Sequence, residues 1–206
     1  ETGHNKNKFK KSDKITYFTA HNYVDDELGT AESKLHRYNQ LYEMEDGRKV
    51  TIFERCLEHI GLGSPVVLSK PVCGHHVKDE ELIEKYGMYS HLMREEWVLE
   101  YLENNKTTEL TMWCDSGDVI FQDDPQKIID IFYEYDCDML FMGTTFHKGN
   151  KGGFHGEWGE EAIKHPDNQF GYFLNCGVMI GKTEFVIEIV KEALKLRDDK
   201  RFTQHP

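Results

Sequence analysis

Apolar positions fall into short runs of two periods, and most runs are bounded by Gly, Pro, Asn or Asp. Lys14-Ile15-Thr16-Tyr17-Phe18-Thr19-Ala20 is β-branched and aromatic and ends in polar His21-Asn22, so it reads as a strand. Little is regular in the charged segment after it except Leu28, Leu35 and Leu41, which place no element. From Val50 the period changes. Val50, Phe53, Cys56 or Leu57, and Ile60 return at three- and four-residue steps, a helix stripe stopped by Gly61 and Gly63. Pro65 to Ser69 reads as a second strand, and Asp79-Glu80-Glu81 opens a short helix in the polar stretch between Gly74 and Gly87. Leu92 to Leu102 is a firmer helix, with Met93, Trp97 and Tyr101 at four-residue steps and an Asn104-Asn105 turn behind it.

The run Leu110-Thr111-Met112-Trp113-Cys114 comes next, a buried strand by composition, with Asp115-Ser116-Gly117-Asp118 at its carboxyl end. Asp124-Pro125 caps a helix burying Ile128, Ile129 and Phe132, and Asp138 to Met142 is another strand. Gly143 to Phe170 is a long glycine-rich loop, of the kind that is functional or mobile. Tyr172 to Ile180 is an apolar run interrupted by Asn175; Gly181 ends it and Thr183 caps the last helix. That helix carries Phe185, Val186, Ile189, Val190, Ala193 and Leu194 on one stripe. Strand and helix alternate without internal repeats, which predicts an α/β fold: a mainly parallel sheet with helices on both faces.

Ligands of such a sheet bind beyond the carboxyl ends of its strands. Asp115 and Asp118 lie there, and their oxygens suit one hard divalent cation, Mn²⁺ or Mg²⁺, with open positions for a diphosphate and water. The cation would act as a Lewis acid on a diphosphate leaving group. Taken alone, the four residues also fit a solvated acidic turn. Asn175 sits in an otherwise apolar run, where its amide needs partners from neighbouring backbone or from a ligand. Trp158, between glycines in the long loop, fits a hydrophobic plug or a platform for a sugar or base. His75-His76, His147, His155 and His165 have no helical metal spacing and read as structural or exposed. Asp198-Asp199 reads as a solvated acidic end.

Composition narrows the picture. The chain has 206 residues, enough for one large domain or two small ones, and 38% of them are hydrophobic. A net charge of −12 argues against nucleic-acid partners. No run is long enough to span a membrane. Residues 1–13 read as an expression remnant and a flexible polar tail, leaving 14–206 as a single domain. The five cysteines show no C-x-x-C spacing. Cys114 and Cys176 read as core, while Cys56, Cys73 and Cys137 could supply one disulfide of undetermined pairing. Asn105-Lys106-Thr107 is an N-glycosylation sequon, a pointer to the secretory lumen or the cell exterior. P-loop, G-x-G-x-x-G and G-x-S-x-G motifs are all missing, so the corresponding enzyme classes lack their signals.

Five segments together resemble the glycosyltransferase domain of the lysyl hydroxylases, the collagen-modifying enzymes. Asp115-Ser116-Gly117-Asp118-Val119 resembles its D-S-x-D-V, and Phe173-Leu174-Asn175-Cys176-Gly177-Val178-Met179-Ile180-Gly181 its F-L-N-S-G-G-F-I-G. Ile15 to Ala20 is similar to its first strand, Glu157-Trp158-Gly159 to its E-W-G, and Asp198-Asp199-Lys200-Arg201-Phe202 to its acidic run before Q-L-F. The order is the family's, over most of residues 14–203. The resemblance implies a GT-A fold, Rossmann-like with a mixed, mainly parallel sheet, and divides the domain into a nucleotide-binding half (14–121) and an acceptor half (122–206). It implies a UDP-sugar donor, Mn²⁺, and a protein or glycan acceptor, collagen-like and bearing hydroxylysine. Asp115 and Asp118 would hold the metal, Asp115, Thr19 and Arg94 the nucleotide, and Trp158 would belong to the donor loop. Asn175, Asp198 and Asp199 would serve the sugar and the reaction centre. Three departures stand out: Cys176-Gly177-Val178 in place of S-G-G, an inserted glycine- and lysine-rich stretch at Lys148–Phe154, and Lys200 in place of glutamine. The family's further histidine ligand, in an H-G-N-type segment, falls past Pro206. The expectation is therefore a shortened domain, a metal site completed differently, or a catalytically inactive domain used for binding or assembly. A metal-dependent phosphoesterase on the same turn is a third class, without a second acidic cluster to support it.

Overall fold

The computed structural model describes residues 9–20, 41–68, 92–105, 107–144 and 173–197. In chain order these form β1 (Ile15–Thr19), β2 (Tyr42–Glu43), β3 (Lys49–Val50), α1 (Ile52–His59), β4 (Val66–Val67), α2 (Leu92–Asn104), β5 (Leu110–Cys114), α3 (Gln126–Glu134), β6 (Met139–Thr144), β7 (Phe173–Lys182) and α4 (Thr183–Arg197). Five strands make one sheet in the order β4-β1-β5-β7-β6. β4, β1 and β5 are mutually parallel, and β7 is antiparallel to both β5 and β6. Four strands therefore point one way and β7 alone is reversed. Strands from both expected halves, 14–121 and 122–206, share this single sheet.

Two clusters fill the faces, as expected for a sheet covered on both sides. On one face Ile15, Tyr17, Leu110, Met112 and Cys114 meet Phe53 and Leu57 of α1 and Ile129 and Phe132 of α3. On the other, Phe18 and Trp113 meet Val98 and Leu102 of α2 and Val186 and Val190 of α4. The alternation along β1 and β5 is the period of two that sends successive side chains to opposite faces. All five residues of β5 are buried, which makes it the central strand.

Several expectations shift. The stripe assigned to α4 is narrower, because Val186 and Val190 are buried while Ile189 and Ala193 are exposed. On α2 the buried positions are Trp97, Val98 and Leu102, with Tyr101 only half-buried. Pro125 is the cap residue of α3 rather than its first helical residue, and Asp124 Oδ1 accepts the Gln126 N–H at 2.9 Å. Thr183 is already helical, and its hydroxyl pairs with that of Thr111 at 2.8 Å in the interior. Gly181 does not end β7 but lies inside it. A Cβ there would meet Val186 Cγ2 at 2.9 Å and the Asp138 carbonyl at 3.0 Å, so close approach requires glycine. Gly61 and Gly63 do stop α1, at φ of 84° and 79°.

The β2–β3 hairpin is an addition. Asp46-Gly47 turns it, with Gly47 at φ 79°. Arg48 then clamps it to α1 through Glu58, at 2.9 and 3.1 Å, while also bonding Asp46. These bonds hold the Glu58 and Asp46 carboxyls below their ordinary range and raise the guanidinium.

Candidate functional site: the acidic turn at the sheet rim

The turn after β5 is fastened at both of its ends. On one side the Thr19 hydroxyl, at the end of β1, donates to the Cys114 carbonyl at 2.7 Å. On the other, the Asp115 N–H donates to the Gly177 carbonyl of β7 at 2.8 Å, prolonging the ladder by one step. The backbone therefore leaves the sheet with Asp115 pinned between two strand ends. Ser116 is buried, and its carbonyl accepts the Phe53 N–H from the first turn of α1 at 3.3 Å. That turn is itself set by a capping box, in which Thr51 accepts from Glu54 N–H and the Glu54 carboxylate accepts from Thr51 N–H. Farther on, the Phe121 N–H donates to Cys56 Sγ at 3.3 Å. The Phe121 ring packs 5.8 Å from Tyr17 and 5.9 Å from Phe53, centroid to centroid. Between these anchors Asp115 is half-buried and Asp118 is exposed.

Beneath the turn two thiols and a phenol stay protonated. Burial pushes the Cys114 thiol well above its ordinary value, and the charge on Asp115 and the Cys56 thiol push the same way. Cys56 is raised by burial against the weaker opposing effect of its bond from Phe121. Tyr17 is pushed up to about 12, first by burial and then by Cys114 and Asp124. The two thiols and the phenol are therefore neutral at ordinary pH, and the Glu54 carboxylate beside them is held on the Thr51 N–H. Cys56, Cys114 and Cys137 are free thiols, so no Cys56–Cys137 bridge forms, and Cys73 lies outside the described residues.

The structure places the other expected residues as follows. Thr19 is fully buried, with its hydroxyl committed to Cys114, so here it shapes the rim and presents no side chain to a ligand. Asn175 lies in β7 opposite Met142 of β6, three residues before Val178, which pairs with Cys114. Its backbone is thus at the same rim as Asp115, and its side chain lies outside the described residues. The β6–β7 register is irregular between Phe141 and Met142, skipping Cys176-Gly177-Val178 on β7. At that irregularity the Gly177 carbonyl receives Asp115. Arg94 lies in the first turn of α2, with its side chain outside the described residues. Trp158, Asp198 and Asp199, and the histidines from His75 to His165, lie outside the described residues altogether.

Sequence reasoning overlooked the brace under the turn: Thr51, Glu54, Phe53, Cys56 and Phe121. One signal was present, since Thr51-Ile52-Phe53-Glu54 is a capping-box pattern before an apolar stripe. Among the described residues no group of three or more His, Cys, Asp or Glu could hold a metal ion. Asp115 and Asp118 supply only oxygens, and only two carboxylates. That donor set fits a hard cation completing its shell from water and a phosphate ligand, and not a closed zinc site.

No family model matches the chain, and no curated protein matches it in sequence.

Proposed function

We propose that the chain is a metal-dependent glycosyltransferase of GT-A type that moves a sugar from a UDP-sugar to a protein or glycan acceptor. The observation that carries this reading is the acidic turn Asp115-Ser116-Gly117-Asp118 at the carboxyl end of the central strand, where an α/β sheet binds ligands. The mixed sheet with one reversed strand is of the kind that the GT-A resemblance implies. In this reading Asp115 and Asp118 hold Mn²⁺ or Mg²⁺, and the cation neutralises charge on the departing diphosphate. Asp115, with its N–H fixed on Gly177, provides the rigid ligand, and exposed Asp118 provides the adjustable one. Asn175, on the neighbouring strand at the same rim, addresses the sugar. Thr19 acts at one remove by fixing the Cys114 carbonyl. Arg94, Trp158, Asp198 and Asp199 keep the roles the resemblance implies: nucleotide, donor loop and reaction centre. The lumen of the secretory pathway is the compartment in which such a donor and acceptor would meet.

The test is donor turnover. Purified protein with Mn²⁺ and a panel of UDP-sugars is expected to release UDP, and Asp118→Ala is expected to abolish release. A second reading, a GT-A-like binding or assembly module without turnover, is favoured by the inserted glycine- and lysine-rich stretch at Lys148–Phe154. UDP binding without UDP release, from every donor tried, would select it.

A further inference from the structure

We propose that Asn105 carries an N-linked glycan and that the groove Asn105 borders seats the first sugar of that glycan. The inference stands apart from the glycosyltransferase reading and needs only passage through a compartment where oligosaccharide is transferred to asparagine. Asn105-Lys106-Thr107 is the acceptor triplet. Asn105 is exposed and lies one residue past the end of α2. Its Nδ2 donates to the Tyr101 carbonyl at 2.8 Å, so the amide caps the helix end and is held in one orientation at the surface. In the transfer a bond forms between Nδ2 and the sugar's anomeric carbon. The bond from that carbon to a lipid diphosphate breaks, the diphosphate leaves with the electron pair, and one Nδ2 proton is lost. The second Nδ2 hydrogen remains, so the modified amide keeps a donor for Tyr101.

The groove supplies the second, independent observation. It is an open groove of about 480 Å³ between β4 and α2, with Val67, Leu68, Trp97 and Tyr101 as its apolar wall and Glu100, Asn104 and Asn105 as its polar one. That volume is within the roughly 300–1,000 Å³ of small-ligand clefts. The Tyr101 ring makes an edge contact with Phe18, centroids 5.3 Å apart, and also lines the groove. Aromatic and aliphatic walls suit the C–H face of a pyranose, and the amide rim suits its hydroxyl and acetamido groups. The occupant follows from geometry, because the attachment residue is part of the wall.

The experiment compares folded protein from a eukaryotic secretory host with the same sequence made in bacteria. Intact mass is expected to show a glycan on the secretory form and none on Thr107→Ala. Peptide N-glycosidase in heavy-oxygen water is expected to label position 105. After trimming to a single N-acetylglucosamine, the protein is expected to melt at least roughly 2 °C above the bacterial form. Tyr101→Ala should erase that gain while leaving occupancy intact. Folded secretory protein with unmodified Asn105 would overturn the proposal, as would a single sugar that leaves the melting temperature unchanged.

Discussion

Thr19 stands where two parallel strands end together, and its one hydroxyl ties them. Replacing it with valine keeps the volume and removes the bond to the Cys114 carbonyl. Thr19→Val is expected to cost about 1 kcal/mol in urea unfolding; an unchanged midpoint would show that the clamp carries no energy. Tyr17 makes a second residue-level prediction. Its pKa rises from 10.0 to about 12 on folding, so its contribution to stability is complete below pH 10 and is lost as pH climbs through about 12. Tyr133 moves the same way, to about 12, through burial and then its bond to Glu109. Tyrosinate absorbance, followed as the difference between the protein and its Tyr17→Phe and Tyr133→Phe variants, is expected to show both phenols ionising later in folded protein than in urea. Uniform titration near pH 10 would contradict both assignments. At this scale the sequence was a partial guide. It put Asp115 and Asp118 just past a buried strand, which is where they lie, because carboxylates after an apolar run are conspicuous. The resemblance assigns Thr19 to the nucleotide, whereas its buried hydroxyl bonds the Cys114 carbonyl, an inward turn that nothing in Phe18-Thr19-Ala20 signals.

Among the elements, α1 matters most to the rim. Its capping box sets the first turn, and that turn donates Phe53 N–H to Ser116. Thr51→Ala is expected to destabilise the fold by about 1 kcal/mol and to speed amide exchange selectively at residues 116–121. Exchange that quickens elsewhere but not there would separate α1 from the turn. Gly181→Ala tests the packing of β7 against α4. With Val186 Cγ2 at 2.9 Å and backbone at 3.0 Å, the strain is expected to cost roughly 1–3 kcal/mol, read as a lowered thermal midpoint. The long periodic elements were legible because a buried stripe repeats often enough to be seen. The β2–β3 hairpin was missed because each strand contributes only two residues, although Asp46-Gly47 is a turn signal in its own right. Ile189 and Ala193 were placed in the core because a stripe drawn from hydrophobicity is wider than the contact one neighbouring helix can make.

For the whole molecule, the alternation of strands and helices predicted a layered α/β sheet, and the order β4-β1-β5-β7-β6 is one. The reversal of β7 was not legible, since side-chain period is the same in parallel and antiparallel strands and direction depends on how the chain returns. That reversal matters to the site: it brings the entry of β7, with Asn175 and Gly177, to the rim where β1 and β5 finish. The central claim is that Asp115 and Asp118 grip a cation which in turn grips a diphosphate. Calorimetric titration of UDP into the protein, with and without Mn²⁺, tests it most directly. The account predicts binding that depends on Mn²⁺ and weakens at least roughly tenfold, about 1.4 kcal/mol, in both Asp115→Asn and Asp118→Asn. UDP binding that is indifferent to Mn²⁺, or untouched by either substitution, would contradict it.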